Sequence, residues 1–266
     1  MTFDQFLREA CPPLDLEWRK YRRRSARHRV DGRLRELGVD SYGDYLEILR
    51  SDPWEAAQLP DLMRVTVSRF FREGEAWQEA EERILPGLVA ENPDAGRLLA
   101  WSAGSCGGEE PFSLALLWLE YLLPLHPAWS MEIIATDIDA ASLQRARSAL
   151  YRGESLREVP RGICERWFSR EDAMWRLHGK ARALVRFEER NLLTAPPPQG
   201  VDLLLCRYLA FTYYTGERLQ AAAQRLWEAL RPGGFLMIGA KEHLPEPALE
   251  LFEPIPGSRV FCRRRG

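Results

Sequence analysis

From residue 97 onward, short apolar runs of strand length alternate with longer stretches of helical periodicity, and this alternation constrains the fold of the 266-residue chain more than any other feature. RLLAWSA, MEIIAT, LVRFEE, VDLLLC and GFLMIGA read as strands, while PFSLALLWLEYLL, ASLQRARSALY and ERLQAAAQRLWEALR read as helices. Near-continuous apolar strands are strands covered on both faces, so this order implies a parallel sheet wrapped by helices. Between Tyr151 and Phe187 the rhythm breaks, and residues 152–183 read as an insertion holding one helix and a small hairpin. The tail LELFEPIPGSRVFCRRR reads as an antiparallel hairpin turning at Pro256-Gly257.

Residues 1–75 show no strand pattern. DQFLREA, LDLEWRKYRRRSARHRVDGRLRELG and SYGDYLEILRSDPWEAAQLPDLMRV read as helices punctuated by Gly38 and Pro53. The expected organisation is a helical domain over 1–75, a linker helix over 76–94 that ends near Asn92-Pro93, and an α/β domain over 95–266. Hydrophobic residues at 45% and charged residues at 29% exclude a disordered chain. No apolar run is long enough for a membrane helix, and MTFDQFLREA lacks the features of a signal peptide, so a cytoplasmic location is expected without membrane insertion. Five cysteines, odd in number and without a CxxC pair, argue against a disulfide framework and against a metal site.

The net charge of −2 hides nine cations, Arg19, Lys20, Arg22, Arg23, Arg24, Arg27, Arg29, Arg33 and Arg35, in one segment. Such a run is either a solvated helix face or a docking surface for an acidic partner. With a pI of 6.2 and no nucleic-acid-binding motif, no nucleic-acid partner is expected.

Two constellations point to a ligand. The first strand runs into Ala103-Gly104-Ser105-Cys106-Gly107-Gly108-Glu109-Glu110-Pro111 and then a helix. Small residues at a strand's carboxyl end let a ligand approach the backbone, and two glutamates there disfavour phosphate while suiting a cationic ligand such as S-adenosylmethionine. The bland reading is a structural turn with two first-turn acids favoured by the helix dipole. The second strand ends in Thr136-Asp137-Ile138-Asp139, one β-α-β unit later, where doubly wound folds place an acid on ribose hydroxyls. Asp139 reads as the N-cap of the next helix, leaving Asp137 for the ribose.

In order and spacing, VTVSRFFRE, WSAGSCGGEEPFSLA, ATDIDAASLQRARSALY, VRFEERNLL, DLLLCRYLAFTYY and LRPGGFLMIGAKEHLP resemble the chemotaxis-receptor methyltransferases of the CheR type. The resemblance spans nearly the whole chain. It implies a class I, Rossmann-like methyltransferase domain behind a small all-helical domain, with S-adenosyl-L-methionine as cofactor and S-adenosyl-L-homocysteine as product. Residue by residue, Arg72 matches the arginine beside the transferred methyl, and Ser68 a nearby hydroxyl. Glu110 matches a cofactor-binding glutamate, Asp137 the ribose acid, and Asn191-Leu192 the pair that recognises adenine. Ala103, Gly104, Ile138, Tyr208 and Leu209 complete the implied cofactor contacts. An asparagine opening a turn is equally a local turn residue.

The chain departs from the family where C-R-N-V-x-I-Y-F becomes Cys206-Arg207-Tyr208-Leu209-Ala210-Phe211-Thr212-Tyr213. Tyr208 replaces an asparagine, and Thr212 stands at the family's acceptor-side tyrosine, with Tyr213 or Tyr214 as neighbouring hydroxyls; Tyr213 is the catalytic candidate beside Arg72. A carboxylate acceptor needs no general base, which agrees with matched motifs that hold an arginine and hydroxyls but no histidine. The implied reaction is glutamate O-methylation of a protein, with a receptor-like acidic helix docking on the basic helical domain. A small-molecule acceptor, or a non-catalytic regulator that binds the cofactor or its product, are the alternatives.

Overall fold

The structure is a computed structural model and describes residues 1–64, 66, 68–91, 95–258 and 260–263, so the expected helix end at Asn92-Pro93 lies outside the described residues. In chain order the α-helices among the described residues are α1 (Phe3–Ala10), α2 (Arg24–Leu37), α3 (Tyr42–Ser51), α4 (Pro53–Met63), α5 (Gly74–Glu79), α6 (Leu85–Glu91), α7 (Glu109–Leu117), α8 (Ala140–Ser148), α9 (Arg161–Trp167), α10 (Gly179–Arg182), α11 (Ala210–Tyr213), α12 (Gly216–Ala229) and α13 (Glu246–Leu249). The strands are β1 (Arg97–Ala103), β2 (Ser130–Asp137), β3 (Leu150–Tyr151), β4 (Phe168–Glu171), β5 (Met174–Leu177), β6 (Val185–Glu189), β7 (Val201–Leu205), β8 (Leu230–Met237), β9 (Phe252–Pro254) and β10 (Val260–Arg263). The chain packs into two compact units, one of residues 1–66 with 209–221 and one of residues 67–208 with 222–266.

The helical unit is punctuated by side-chain caps. Thr2 and Gln5 form a reciprocal capping box on α1, Ser41 accepts from the Asp44 N–H at the start of α3, and Asp52 caps α4 with Pro53 in its first turn. Gly38, at φ 69°, ends α2 in the left-handed conformation that a side chain would resist. Phe6, Leu7, Val30, Tyr45, Leu59 and Met63 fill the core, joined by Tyr213 from α11. One expectation is corrected here, because residues 14–23 are not a continuation of α2. Pro12 and Pro13 open a short 3-10 turn, Asp15 turns left-handed at φ 53°, and Leu16 bridges Tyr214 instead of entering a helix.

In the second unit, seven strands run in the order β6-β2-β1-β7-β8-β10-β9. β6, β2, β1, β7 and β8 are mutually parallel, whereas β10 is antiparallel to both β8 and β9 and closes the edge as the expected tail hairpin. β1 leads through α7 to β2 on one side, while the chain returns through β7 on the other, so the strand order reverses between β1 and β7. Ligands of open α/β sheets bind at such a reversal, outside the carboxyl ends of the strands. Register brings those ends level, with Ala103 beside Thr136, Asp137 beside Glu189, and Leu205 beside Met237.

The helix expected to run to Tyr151 stops at Ser148, since Ala149 turns left-handed at φ 50° and sends Leu150–Tyr151 into a second sheet ordered β3-β5-β4. That small antiparallel sheet and α9 make up most of the segment read as an insertion. Phe70 meets Tyr151 and Phe168 edge-on at 4.8 and 5.1 Å, so the apolar face of the small sheet is covered from the Phe70-Phe71-Arg72-Glu73 segment.

Candidate active site

Three chain turns meet at the carboxyl edge of the large sheet, and each contains non-glycine residues in the left-handed region. Seven such residues occur among the described residues, and Phe71 (φ 50°), Glu73 (64°), Cys106 (48°) and Tyr208 (58°) all belong to these turns. Left-handed aromatic and glutamate residues persist only where their surroundings hold them, and such sites gather where function demands a fixed geometry.

The turn after β1 is held by β2. The N–H groups of Gly104 and Ser105 both donate to the Thr136 carbonyl, at 2.8 and 2.9 Å, and the Gly108 N–H returns to the Ser105 carbonyl at 2.9 Å. Gly108 lies at φ 86°, and a Cβ there would sit 3.0 Å from both Ala146 and Phe187, so the turn tolerates no side chain at this point. The carboxylate of Asp137, at the end of β2, accepts the Cys106 N–H at 2.8 Å and the Asp139 N–H at 2.9 Å. These two donors fix its orientation, and Asp139 caps α8 through the Ser142 N–H.

The Phe70–Glu73 turn is tied on both sides. The Phe70 N–H donates to the Ser155 carbonyl at 3.1 Å, and the Phe71 N–H to Ser113 Oγ on α7 at 2.9 Å. The Arg72 carbonyl accepts from Trp77 Nε1 and from Arg207 Nη2. The Arg72 guanidinium lies over the Tyr208 ring, 4.0 Å from its centroid.

Beneath Arg72 is a polar cluster whose members come from distant segments. Arg207, its side chain only 3% exposed, pairs with Glu73 at 2.8 Å and with Glu110 at 3.3 Å. Glu73 also accepts the Ala240 N–H and the Tyr208 hydroxyl, and Glu110 accepts the Ser102 hydroxyl at 3.0 Å. Burial pushes the Glu73 carboxyl up, but the Ala240 N–H, the Tyr208 hydroxyl and Arg207 together hold it below its ordinary range. For Glu110 burial wins over Arg207, and its pKa is raised. Burial likewise raises Glu109, whose Oε2 has no hydrogen-bond partner, and raises the Tyr208 hydroxyl, which also faces the Glu73 anion.

The residues singled out from sequence fall into two groups. Ser68, Arg72, Ala103, Gly104, Glu110, Asp137, Ile138, Asn191, Leu192 and Tyr208 all lie in the second unit. Asn191 opens a local turn, with its Oδ1 accepting the Leu193 N–H at 2.8 Å. Leu209 and Tyr213 belong to the helical unit, where the Tyr213 ring is buried at 5.1 Å from Tyr21. Sequence reasoning passed over Arg207, Glu73 and Glu242. All three stand inside the matched motifs, and the opposite charges of Glu73 and Arg207 in two separate apolar-flanked motifs were the available signal. His178 caps α10 and packs against Trp167, a structural position within the insertion. Among the described residues no group of His, Cys, Asp and Glu could hold a metal ion, and no helix is long and apolar enough to cross a membrane.

Residues 66–261 match the CheR methyltransferase, SAM binding domain, and residues 15–63 match the CheR methyltransferase, all-alpha domain. A chemotaxis protein methyltransferase of Listeria monocytogenes is 30% identical over 243 residues, covering 91% of this chain and 90% of that one. Chemotaxis protein methyltransferase 2 of Vibrio cholerae is 31% identical over 231 residues, 83% of this chain and 79% of that one. A 104.1 kDa protein of Rhodobacter capsulatus is 29% identical over 224 residues, and this chain spans only 23% of its length.

The residues present fit the cofactor that this domain binds. Adenosine needs an oriented acid for its ribose and a close backbone approach, and the chemistry of Asp137 and of the glycine-bearing turn at Gly104–Gly108 fits both needs. Ser105 Oγ, Glu109 Oε2 and Arg207 Nε are buried polar atoms without partners around the same turns, which is where polar atoms await a ligand or ordered water. Matched across most of its length in both of its parts, the chain belongs to the CheR methyltransferase family, with an S-adenosylmethionine-binding α/β domain behind an all-helical one.

Proposed function

We propose that the protein methylates a glutamate side chain of a protein partner, forming an O-methyl ester. Bound S-adenosylmethionine supplies the methyl group on a sulfonium, and S-adenosylhomocysteine remains after transfer. In this reading the backbone at Ala103 and Gly104 and the start of α7 at Glu110 hold the methionine portion. Asp137 and Ile138 receive the ribose, and Asn191 with the Leu192 N–H reads the adenine edge, whose mixed donors and acceptors an amide and a backbone group complement. Ser68, Arg72 and Tyr208 face the methyl end. Leu209 and Tyr213 belong to the helical unit, and the Tyr213 ring packs in its core.

The observation that carries the proposal is the state of charge around Arg72. Arg207 is already answered by Glu73 and Glu110, while Arg72, beside this cluster, lies over the Tyr208 ring as a second guanidinium. Such a fork suits a carboxylate, which it can align through paired hydrogen bonds. A glutamate, with an ordinary pKa of about 4.3, is already an anion at neutral pH and needs no base to become nucleophilic. Alignment and exclusion of water are then the main tasks of the protein, because the charge of both reactants is lost on the way to the ester.

The aromatic stretch that raised the small-molecule alternative is otherwise occupied, Tyr208 with Arg72 and Glu73, and Tyr213 with Tyr21. A protein acceptor is supported instead by the outward cations of the helical unit. Lys20, Arg23, Arg24, Arg27 and Arg35 are exposed and form a field suited to an acidic helix. Incubation with methyl-labelled cofactor and cytoplasmic fragments of chemotaxis receptors tests the reading. Base-labile label released as methanol is expected, and label that survives base would overturn ester formation.

A further inference from the structure

We infer that Tyr208 is a positioning residue: its ring is the platform that fixes the Arg72 guanidinium, and its hydroxyl locks that platform to Glu73. The inference rests on the reading of Arg72 given above and adds how that arginine is held. Four observations converge. The Arg72 guanidinium stacks on the ring 4.0 Å from its centroid, close enough for a substantial cation–π attraction. The ring cannot swing freely, because its hydroxyl donates to Glu73, the residue next to Arg72 in the chain. Its backbone is held as well, since the Tyr208 N–H donates to Glu242 Oε2 at 2.8 Å in a left-handed conformation at φ 58°. Finally, the space for the ring exists only because residue 239 is glycine: a Cβ there would lie 2.7 Å from Tyr208 Cε2 and Cζ.

Together these contacts close a loop of interactions from Arg72 through Tyr208 to Glu73, and from Glu73 through Arg207 to Glu110 and Ser102. An asparagine at position 208 has no ring face to offer a cation. The aromatic side chain therefore supplies a hold on Arg72 that an amide at this position lacks, and its role is toward the arginine more than toward the cofactor.

Three variants of the full chain separate the parts of this assignment. Tyr208→Phe keeps the platform and loses the lock, Tyr208→Leu loses both, and Tyr208→Asn loses the ring while accommodating the left-handed backbone. The Nε–Hε resonance of Arg72, assigned with Arg72→Lys, reads the stacking without any acceptor. A ring-current shift is expected in the parent and in Tyr208→Phe, and its loss in Tyr208→Leu and Tyr208→Asn. Titration with S-adenosylhomocysteine is expected to change by less than about threefold in all three. Methyl transfer to a receptor fragment is expected to fall about tenfold in kcat for Leu and Asn, and by no more than about threefold for Phe, as the loss of one cation–π contact would give.

An unshifted Arg72 resonance in the parent overturns the inference. So does an affinity for S-adenosylhomocysteine that falls as far as kcat, which would make Tyr208 a cofactor contact. If the parent transfers no methyl to any protein acceptor while Arg72 still shows the ring-current shift, the glutamate reading fails and the platform stands.

Discussion

The α/β unit builds its candidate site around one buried arginine, whereas the helical unit divides a crowded run of cations between interior and surface. In the α/β unit, Arg207 is buried, paired with two carboxylates and bonded to a backbone carbonyl, so its position is fixed by partners from two distant segments. In the helical unit, the nine cations between residues 19 and 35 divide. Arg33 turns inward to Glu55, which is 2% exposed, and Arg29 turns toward the carbonyls of Leu62 and Arg64. Arg23, Arg24 and Arg27 stay at the surface. A buried, ion-paired arginine organises neighbouring groups, whereas exposed arginines act as a field that salt weakens. A count of charges in the sequence cannot separate these uses, because the difference lies in what each side chain faces.

The contrast can be broken at its strongest point first. Arg72→Ala is expected to lower kcat by roughly 10²–10³-fold, the usual cost of removing one preorganised charge contact to the reacting group, with only a modest change in S-adenosylhomocysteine affinity. Equal loss in both measurements would make Arg72 a cofactor anchor. Within the helical unit, Arg33→Ala leaves Glu55 and Tyr45 around an uncompensated carboxylate and is expected to cost about 3 kcal/mol in denaturant unfolding. Arg27→Ala, which removes an exposed pair with Asp31, is expected to leave the denaturant midpoint essentially unchanged. Similar costs for the two would erase the division between inward and outward cations.

Glu73 sharpens the same comparison through pH. Its folded pKa is depressed, so the stability it contributes is present above its unfolded value, near 4.3, and is lost as pH falls through the lower folded value. Glu73→Gln is expected to destabilise the protein by on the order of 1 kcal/mol at neutral pH. The gap to the parent should close as the solution is taken below the carboxylate range, measured by denaturant midpoints across pH. A gap that persists in acid would assign the loss to packing. The smallest effect is expected at the surface, where the double variant Arg23→Ala, Arg24→Ala should raise the KM for a protein acceptor a few-fold at low salt and leave kcat unchanged. The difference should vanish at high ionic strength.

Much of the α/β unit was readable because strands covered on both faces are mostly apolar without alternation, as in RLLAWSA and VDLLL. Asp139 was legible as a helix cap, and Asp137 as the last residue of β2, because their spacing from β2 and α8 is local. The turn cluster was not. Glu73, Glu110 and Arg207 meet only after three distant segments converge, and no local pattern records that Tyr208 adopts positive φ over Gly239. The two glutamates after β1 illustrate the limit. Their adjacency in sequence does not show that Glu110 is answered by Arg207 while Glu109 is buried with its ionisation disfavoured. In the helical unit, the run from Leu14 to Arg23 looked continuous with α2 because its composition is helix-compatible, and the pairing of Leu16 with Tyr214, two hundred residues on, overrode it.

Calorimetric titration of the full chain with S-adenosylhomocysteine, repeated on Asp137→Asn, addresses the placement of the nucleoside most directly. One site per chain is expected, with affinity reduced ten- to a hundredfold in the variant, the loss expected for hydrogen bonds to a charged acceptor. Binding of equal strength in the two proteins, or no heat from either at millimolar ligand, would contradict a nucleoside seated on Asp137 at the carboxyl edge of β1 and β2.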